Sequence, residues 1–287
     1  MDFKCSGDDL EQIPEEVVQK TGISLPGGHS NKNSMAVLAG ELRKHRGDVI
    51  VRVPFCVTVE AEAYGAHIKL GDALNGPRVE SYRFASIEEM SNLRSLDLTK
   101  GRIKEVLDAV EILAEAGEKV VLSVEGPFTI LSSLIDPLNF YKVLRKDPLR
   151  IQEILAVVEE GIIRYSLAGI KKGASIISYG DPVGAMGIIG PKVYGEYSGP
   201  SSWRIIKGIK ETGGKVLLHL CGKTSTALEK IEMARSYPLE ADGALTYGQA
   251  LLGQLEKSTE PIVIGHRCIK GSLNRMDQGV LWGIELI

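Results

Sequence analysis

The sequence lacks the features that would direct a chain of this size into a membrane, out of the cell or onto a nucleic acid. It has no run of about 18 apolar residues, so a membrane-spanning helix is not expected. Its first residues, "MDFKCSGDDLEQ", are polar and acidic, which excludes a secretory signal peptide. Its net charge of -3 lacks the basic excess of a nucleic-acid surface. The sequence therefore predicts a cytoplasmic protein with no membrane span and no nucleic-acid partner.

Cysteine is also scarce, with four residues in a chain of 287. A chain of this length without a secretion signal does not need a disulfide framework. In a reducing compartment, cysteines beside histidines are metal ligands, nucleophiles or small core residues. Cys5 lies in the polar first segment and is expected to be incidental. The cysteines that remain to be explained are Cys56, Cys221 and Cys268.

A dinucleotide fingerprint of the form G-x-G-x-x-G is missing after the first predicted strand. What the sequence does contain is a regular alternation of two kinds of segment. Short apolar, β-branched runs followed by glycine or proline predict parallel strands that are covered on both faces. These runs are 48–55, 119–128, 174–182, 215–222, 241–248 and 261–268.

Segments with helical spacing separate the predicted strands. They carry apolar residues at steps of three and four, and several open with Ser or Thr as a cap. Strand–helix alternation predicts an α/β fold with a parallel sheet, either a closed (β/α)8 barrel or an open doubly wound sheet. The missing fingerprint favours the barrel. The helical segments are 34–46, 100–119, 147–173, 199–214 and 224–238.

The length fits one barrel domain over 1–287, in which 1–30 form a polar, helical extension. Six strands are recognisable where a barrel needs eight. Either the barrel is incomplete, or further strands lie in the first 40 residues and between 60 and 100.

The residues of chemical interest follow the predicted strands, where a barrel places its active site. His219 and Cys221 are two apart in an extended segment, so both side chains point the same way and can reach one metal ion. Cys268, with His266 nearby, follows the last predicted strand and can supply further zinc ligands. The alternative interpretation is a small core cysteine beside a hydrogen-bonded histidine.

Other strand ends carry candidate catalytic and substrate-binding residues. Asp181 and Glu125 are the candidate catalytic carboxylates, although Asp181 before Pro182 is also typical of a turn or a helix cap. The candidate substrate-binding residues also have alternatives, since a solvated turn explains Glu60 and a simple turn explains Gly126. This second group consists of Phe55, Glu60, Gly126 and Gln249.

Several of these stretches resemble the uroporphyrinogen decarboxylase superfamily, whose fold is a (β/α)8 barrel. The similarity is carried by "VEGPFTIL" (124–131), "GDPVGAMGIIGPKVYGEYSGP" (180–200) and "HLCGKT" (219–224). Within the superfamily, "LPGGHSNKNSMAVLAGEL" (25–42) and "VRVPFCVTVEAEAYGAHIKLGD" (51–72) are similar to the methylcobamide:coenzyme M methyltransferase branch. The resemblance runs from about residue 14 to about residue 272.

This branch implies zinc-dependent methyl transfer from a corrinoid, carried on a partner protein, to a thiol such as coenzyme M. Zinc lowers the pKa of a bound thiol, so that its thiolate attacks the methyl carbon. His219 and Cys221 match the family's H-x-C ligand pair.

The sequence departs from the family pattern at two ligands. The family has a glutamate ligand where "ALTYGQAL" offers Tyr247, Gly248 or Gln249, with Glu240 and Asp242 slightly upstream. Its last cysteine ligand lies in a Gly-Cys-Gly loop well beyond the strand end that matches "IGHRC", whereas this sequence ends at Ile287. The final barrel strands are then expected to be missing or supplied by a partner chain. The metal site is either rebuilt from His219, Cys221, His266 and Cys268, or weakened or lost.

Three alternative functions remain open from the sequence. A porphyrinogen decarboxylase needs an arginine-rich motif after the first strand, and "VPFCVTVEAEA" is acidic there instead. A corrinoid-loading demethylase would use the same fold. A non-catalytic module that binds a corrinoid protein would explain the missing ligands.

Overall fold

The computed structural model describes residues 13–72, 75–276 and 279–287. Cys5 and residues 1–12 of the predicted extension lie outside these ranges, and two short helices occupy the rest of that extension. The helices are α1 (Glu15–Thr21), α2 (Leu25–Ser30), α3 (Lys32–Arg46), α4 (Val59–Ala63), α5 (Ile87–Met90), α6 (Gly101–Glu115), α7 (Pro127–Leu134), α8 (Pro137–Lys146), α9 (Pro148–Lys171), α10 (Met186–Val193), α11 (Gly199–Thr212), α12 (Gly222–Lys230) and α13 (Tyr247–Lys257).

The strands form one large mixed sheet and one small hairpin. The large sheet has the order β1-β4-β5-β6-β8-β9-β7, in which the first five strands are parallel. The last two, β9 and β7, are each antiparallel to their neighbour. The strands are β1 (Val51–Val53), β2 (His67–Lys69), β3 (Arg78–Ser81), β4 (Val120–Glu125), β5 (Ile176–Gly180), β6 (Leu217–Cys221), β7 (Ala234–Glu240), β8 (Ile262–Arg267) and β9 (Val280–Leu286).

Both faces of the parallel strands are buried, which is why their sequences are continuous apolar runs rather than alternating ones. On β4, Val120 and Leu122 pack into the large core with the surrounding helices. Val121, on the opposite face, lies in register with Ile176 and, through it, with Leu217. These three side chains pack with Tyr247 of α13 in a second core. Val121, Ile176 and Leu217 therefore form an apolar layer on one face of the sheet, which is called the inner face below.

Two predicted segments differ from the structure. The stretch 241–248, predicted as a strand, is a turn that leads into α13, and the strand lies earlier, at β7. The predicted helix 224–238 correspondingly ends early, at Lys230, where α12 stops. β7 is held by a seven-residue antiparallel ladder with β9, and it carries Pro238. Local spacing could not indicate this strand, because its partner lies about 50 residues further along the chain.

The strands missed between 60 and 100 form a separate hairpin, β2–β3, and do not extend the barrel. Within the described ranges, β1 pairs with β4 as its single strand neighbour. On the other side of β1, polar side chains make the connection to the segment after β8. Arg52 donates to the carbonyl of Ile269 (3.2 Å) and to the Ser272 hydroxyl (3.0 Å). Ser272 in turn donates to Asp48, which lies just before β1.

No helix in the described ranges is both long and apolar enough to cross a membrane.

Candidate functional site

A row of polar residues crosses the inner face of the sheet, one step beyond the apolar layer. Ser123 of β4 lies in register with Ser178 of β5, which lies in register with His219 of β6. Each is two residues after an apolar residue of that layer, so the side chains share its face of the sheet. The next step along β6 is Cys221. The carboxyl ends of the parallel strands therefore bring these polar groups together, as barrel geometry requires.

These side chains open onto a cavity of about 120 Å³. Its walls combine sulfur, imidazole, carboxylate and aromatic groups from the segment after β1, from β4, β5 and β6, and from the segment after β8. Of the residues predicted from sequence, the cavity is lined by Phe55, Glu125, His219, Cys221 and Cys268. Cys56 also lines it, although no role at the site was predicted for that residue.

His219 is the best-defined group in this cavity. It is 1% exposed, and burial lowers the pKa of its imidazole to about 4, so the ring is neutral at neutral pH. Its Nδ1 lies 3.0 Å from the Ser178 hydroxyl. Its Nε2 is buried and has no side-chain partner in the described part of the chain, while a backbone hydrogen bond with Arg267 raises the imidazole pKa against the larger effect of burial. When Nδ1 carries the proton and donates to Ser178, Nε2 presents a lone pair, which is the form of histidine that binds a metal.

The two cysteines proposed as zinc ligands lie at the ends of neighbouring strands, Cys221 as the last residue of β6 and Cys268 directly after β8. Cys221 ends β6 and pairs in register with Arg267, the residue before Cys268. Both cysteines also lie near Tyr247, whose phenol pKa is raised mainly by burial, lowered in part by Arg267 and raised further by Cys268 and Cys221. However, no three His, Cys, Asp or Glu side chains within the described ranges stand close enough together to form a ready metal site. The donors are suited to zinc in kind, but a metal would have to draw them together.

His266 lies outside this cavity, in contrast to its predicted role as a ligand. Its backbone has φ of 62°, so the strand alternation breaks there and the ring turns towards α12. Its Nδ1 lies 3.2 Å from the Thr226 hydroxyl, and its Nε2 lies 3.1 Å from the Glu229 carboxylate. His266 therefore anchors α12 to β8.

Asp181, a candidate catalytic carboxylate, is held by hydrogen bonds to the start of α7 and to Gly184. Its carboxylate is buried and accepts hydrogen bonds from the backbone N–H groups of Phe128, Thr129 and Gly184 and from the Thr129 hydroxyl. Asp181 thus binds the first turn of α7, and the cap interpretation of the sequence agrees with these contacts. It also explains Gly126, because a Cβ there would lie 2.4 Å from the Cβ of Asp181.

Gln249 and Glu60 also lie away from the cavity lining. Gln249 is exposed and completes a capping box with Thr246 at the start of α13. Glu60 is 1% exposed, so it is not part of a solvated turn. Its Oε1 accepts the N–H of Glu125 at 3.0 Å, which fixes the end of β4. Glu60 supports the cavity wall from behind.

The geometry agrees with a comparison of the whole sequence. The model of the uroporphyrinogen decarboxylase (URO-D) family matches residues 11–274. The chain belongs to this family. The family match and the solved structure described below also confirm the predicted barrel class.

Curated proteins that are similar in sequence to this chain are named as methyltransferases. Methylcobamide:CoM methyltransferase MtbA of Methanosarcina acetivorans is 30% identical over 216 residues, which are 74% of this chain and 63% of the relative. The protein of the same name from Methanosarcina mazei is 31% identical over the same shares. The chain thus spans 63% of the length of these relatives.

A solved structure shares the fold. It is described as a methyltransferase from Methanosarcina mazei and superposes with a TM-score of 0.67 at 24% sequence identity. The superposition covers 89% of this chain and 77% of the solved chain.

Besides Cys56, the residues Ser178 and Arg102 were not found by sequence reasoning. Ser178 orients His219, and Arg102 of α6 holds the segment after β1 from behind the cavity. The sequence contains a signal for Ser178, because it lies two residues before the end of β5, as His219 lies two residues before the end of β6. Arg102 had none, because its partners lie about 40 residues earlier in the chain.

Replacing Glu60 with glutamine should stabilise the protein above neutral pH by up to about 3 kcal/mol. Burial raises the pKa of Glu60 from 4.5 to about 7. Between these values the folded protein keeps a proton that the unfolded chain has lost. The stability from the protonated carboxyl is therefore full below pH 4.5 and lost as the pH rises through about 7. Glutamine still accepts the N–H of Glu125 and carries no charge at any pH.

Urea unfolding from about pH 5 to pH 8 measures this effect. The difference in unfolding free energy between Glu60→Gln and the unmodified protein should grow with pH. The exposed Glu153→Gln on α9 is the matched control and should show no such trend. A difference that stays constant across this range would refute the assignment.

Proposed function

We propose that this chain carries out zinc-dependent methyl transfer between a corrinoid, held by a partner protein, and a small thiol such as coenzyme M. The observation that carries the proposal is the buried, neutral imidazole of His219, which lines a cavity together with Cys221 and Cys268. The names of the relatives support the same reaction class.

His219, Cys221 and Cys268 would hold the zinc ion. One imidazole and two thiolates leave a fourth position open, which is the usual arrangement of a catalytic zinc site. The metal would lower the pKa of a coordinated thiol, so that the thiol is present as a thiolate at neutral pH. Ser178 would keep His219 in the tautomer with its lone pair at Nε2, as outer-sphere partners of zinc histidines do.

Other residues of the cavity have roles that follow from their chemistry. Glu125 lines the cavity and would accept the proton that the incoming thiol releases. Phe55 offers an apolar wall to the carbon chain of the thiol and to the methyl group. The methyl donor would approach from outside, carried by its own protein to the carboxyl ends of the strands.

Methyl transfer from methylcobalamin to a panel of small thiols tests this function. The zinc-loaded protein should convert the methylcobalamin absorption spectrum to that of the demethylated cofactor and yield a methyl thioether. His219→Ala should abolish the reaction, and the surface variant His45→Ala on α3 should retain it. Binding to a corrinoid protein without turnover would overturn the proposal and favour the non-catalytic binding module.

A further inference from the structure

A phenol beside the proposed zinc site has no partner for its hydroxyl. Tyr247 is the first residue of α13 and is 0% exposed. Its hydroxyl oxygen is buried and has no hydrogen-bond partner in the described part of the chain. Buried polar groups are normally hydrogen-bonded, because a buried hydroxyl without a partner destabilises the fold. A phenylalanine would fill the same space without that penalty, so the hydroxyl needs an explanation.

The backbone at the start of α13 is fixed to the segment that follows Cys268. The N–H of Tyr247 donates to the carbonyl of Asn274 at 2.8 Å. The next N–H, of Gly248, donates to the carbonyl of Ser272 at 2.7 Å. These contacts hold Tyr247 beside the segment of Cys268 without any help from the hydroxyl.

The ring of Tyr247 also lies close to both strands that carry proposed zinc ligands. Its centroid is 6.0 Å from that of His219 on β6, in an edge-on arrangement. On the side of β8, the guanidinium carbon of Arg267 lies over the ring, 5.5 Å from its centroid. Arg267 directly precedes Cys268 in the chain. The phenol is therefore placed between one proposed ligand and the neighbour of another.

The electrostatic surroundings keep the phenol protonated. Burial raises the pKa of Tyr247, Arg267 lowers it in part, and Cys268 and Cys221 raise it further. The pKa of a phenol belongs to its hydroxyl, so negative charge on either sulfur acts on that O–H group. A buried phenol beside such charge remains a hydrogen-bond donor at neutral pH.

A zinc-bound cysteine would supply the acceptor that this donor lacks. A thiol that coordinates zinc loses its proton, and a hydrogen bond to a charged acceptor is roughly twice as strong as a neutral one. Two thiolates and one neutral imidazole balance the charge of Zn²⁺, and a thiolate from the substrate makes the site negative. An O–H donor beside one of the sulfurs stabilises that negative charge.

We propose that the Tyr247 hydroxyl donates a hydrogen bond to the sulfur of Cys268 when that cysteine binds zinc. Cys268 is the acceptor rather than Cys221, because the start of α13 is bonded to the segment after Cys268. Tyr247 acts through this sulfur and is a positioning residue, not a zinc ligand. The inference rests on the proposed zinc site and adds to it a donor from α13.

Tyr247→Phe tests the proposal, because it removes only the hydroxyl. Its zinc affinity should be lower by about 10- to 100-fold, the usual effect of losing an outer-sphere partner. The metal-free variant should nevertheless unfold at the same or a higher urea concentration than the parent, since it no longer buries a hydroxyl without a partner. A phenol that only supports the fold would lower both quantities together. Chelator competition and urea denaturation measure the two effects.

Tyr165→Phe is the matched control. Tyr165 of α9 is also 0% exposed, and its hydroxyl also has no hydrogen-bond partner in the described ranges. The charged groups that act on its pKa include Glu60 and Arg102 but no proposed zinc ligand. Tyr165→Phe should therefore match Tyr247→Phe in metal-free stability and match the parent in zinc affinity.

Cobalt(II) in place of zinc reports on the sulfur itself. A hydrogen bond to a thiolate lowers the energy of its electrons, so the sulfur-to-cobalt charge-transfer band should move to longer wavelength in Tyr247→Phe. Combining variants identifies the acceptor. In a Cys268→Ser background, Tyr247→Phe should weaken zinc binding by no more than a few-fold. In a Cys221→Ser background, its full effect should remain.

The possible failures can be told apart. Equal zinc affinity and an unshifted cobalt band in Tyr247→Phe would overturn this inference and leave the zinc site standing. A phenolate absorption that grows as metal is added would also overturn it, because Tyr247 would then have lost the proton it is proposed to donate. A parent protein that binds no zinc would overturn the zinc site and this inference with it.

Discussion

Replacing His219 with alanine should remove zinc binding and methyl transfer together. The imidazole is the one proposed nitrogen donor, and burial lowers its pKa to about 4, so no proton competes with a metal at neutral pH. Loss of this donor should weaken zinc affinity by more than the roughly 10- to 100-fold that loss of an outer-sphere partner costs. Competition against a chromophoric chelator measures the affinity directly.

Two matched variants separate metal binding from general damage. Ser178→Ala removes only the hydroxyl that lies 3.0 Å from Nδ1 and should fall in that 10- to 100-fold range. His45→Ala changes a partly exposed histidine on α3 and should leave zinc affinity unchanged. Unaltered zinc affinity in His219→Ala would show that the metal, if bound, is held elsewhere.

Replacing Asp181 with alanine should destabilise the fold by on the order of 4 kcal/mol or more. Its carboxylate accepts hydrogen bonds of 2.7 to 3.2 Å from four donors, which alanine would leave buried without an acceptor. Each such donor costs about 1–3 kcal/mol. The loss is a large share of the roughly 5–15 kcal/mol that holds a protein folded.

Urea denaturation checks this expectation against a second aspartate cap. Asp136 caps α8 by accepting the N–H groups of Leu138 and Asn139 at a more exposed position. Asp136→Ala should therefore cost only about 1 kcal/mol. If Asp181→Ala lowers the free energy of unfolding no more than Asp136→Ala does, that result would contradict the structural role of the Asp181 carboxylate and would support a role in the reaction.

The parallel part of the sheet could be predicted because local sequence determines its pattern. The predicted strands 48–55, 119–128, 174–182, 215–222 and 261–268 contain β1, β4, β5, β6 and β8. Burial on both faces gives each of them a continuous apolar run. The antiparallel strands β7 and β9 were missed because long-range pairing, rather than local preference, makes them strands.

The positions of the candidate residues could be predicted where the backbone is regular and not where it is irregular. His219 and Cys221 face the same cavity because β6 is extended and its side chains alternate. The same argument placed His266 beside Cys268, and it failed because the left-handed backbone of His266 reverses the direction of its side chain. Ser178 and Arg102 depend on contacts between distant segments, which a single sequence does not reveal.

X-ray absorption at the zinc K-edge of the zinc-loaded protein tests the central claim most directly. The proposed site predicts two sulfur donors and one imidazole nitrogen around the metal, with a fourth position that gains a third sulfur when a small thiol is added. The sulfur count should fall by one in Cys221→Ser and by one in Cys268→Ser. A zinc shell of nitrogen and oxygen alone, unchanged in both variants, would contradict the account.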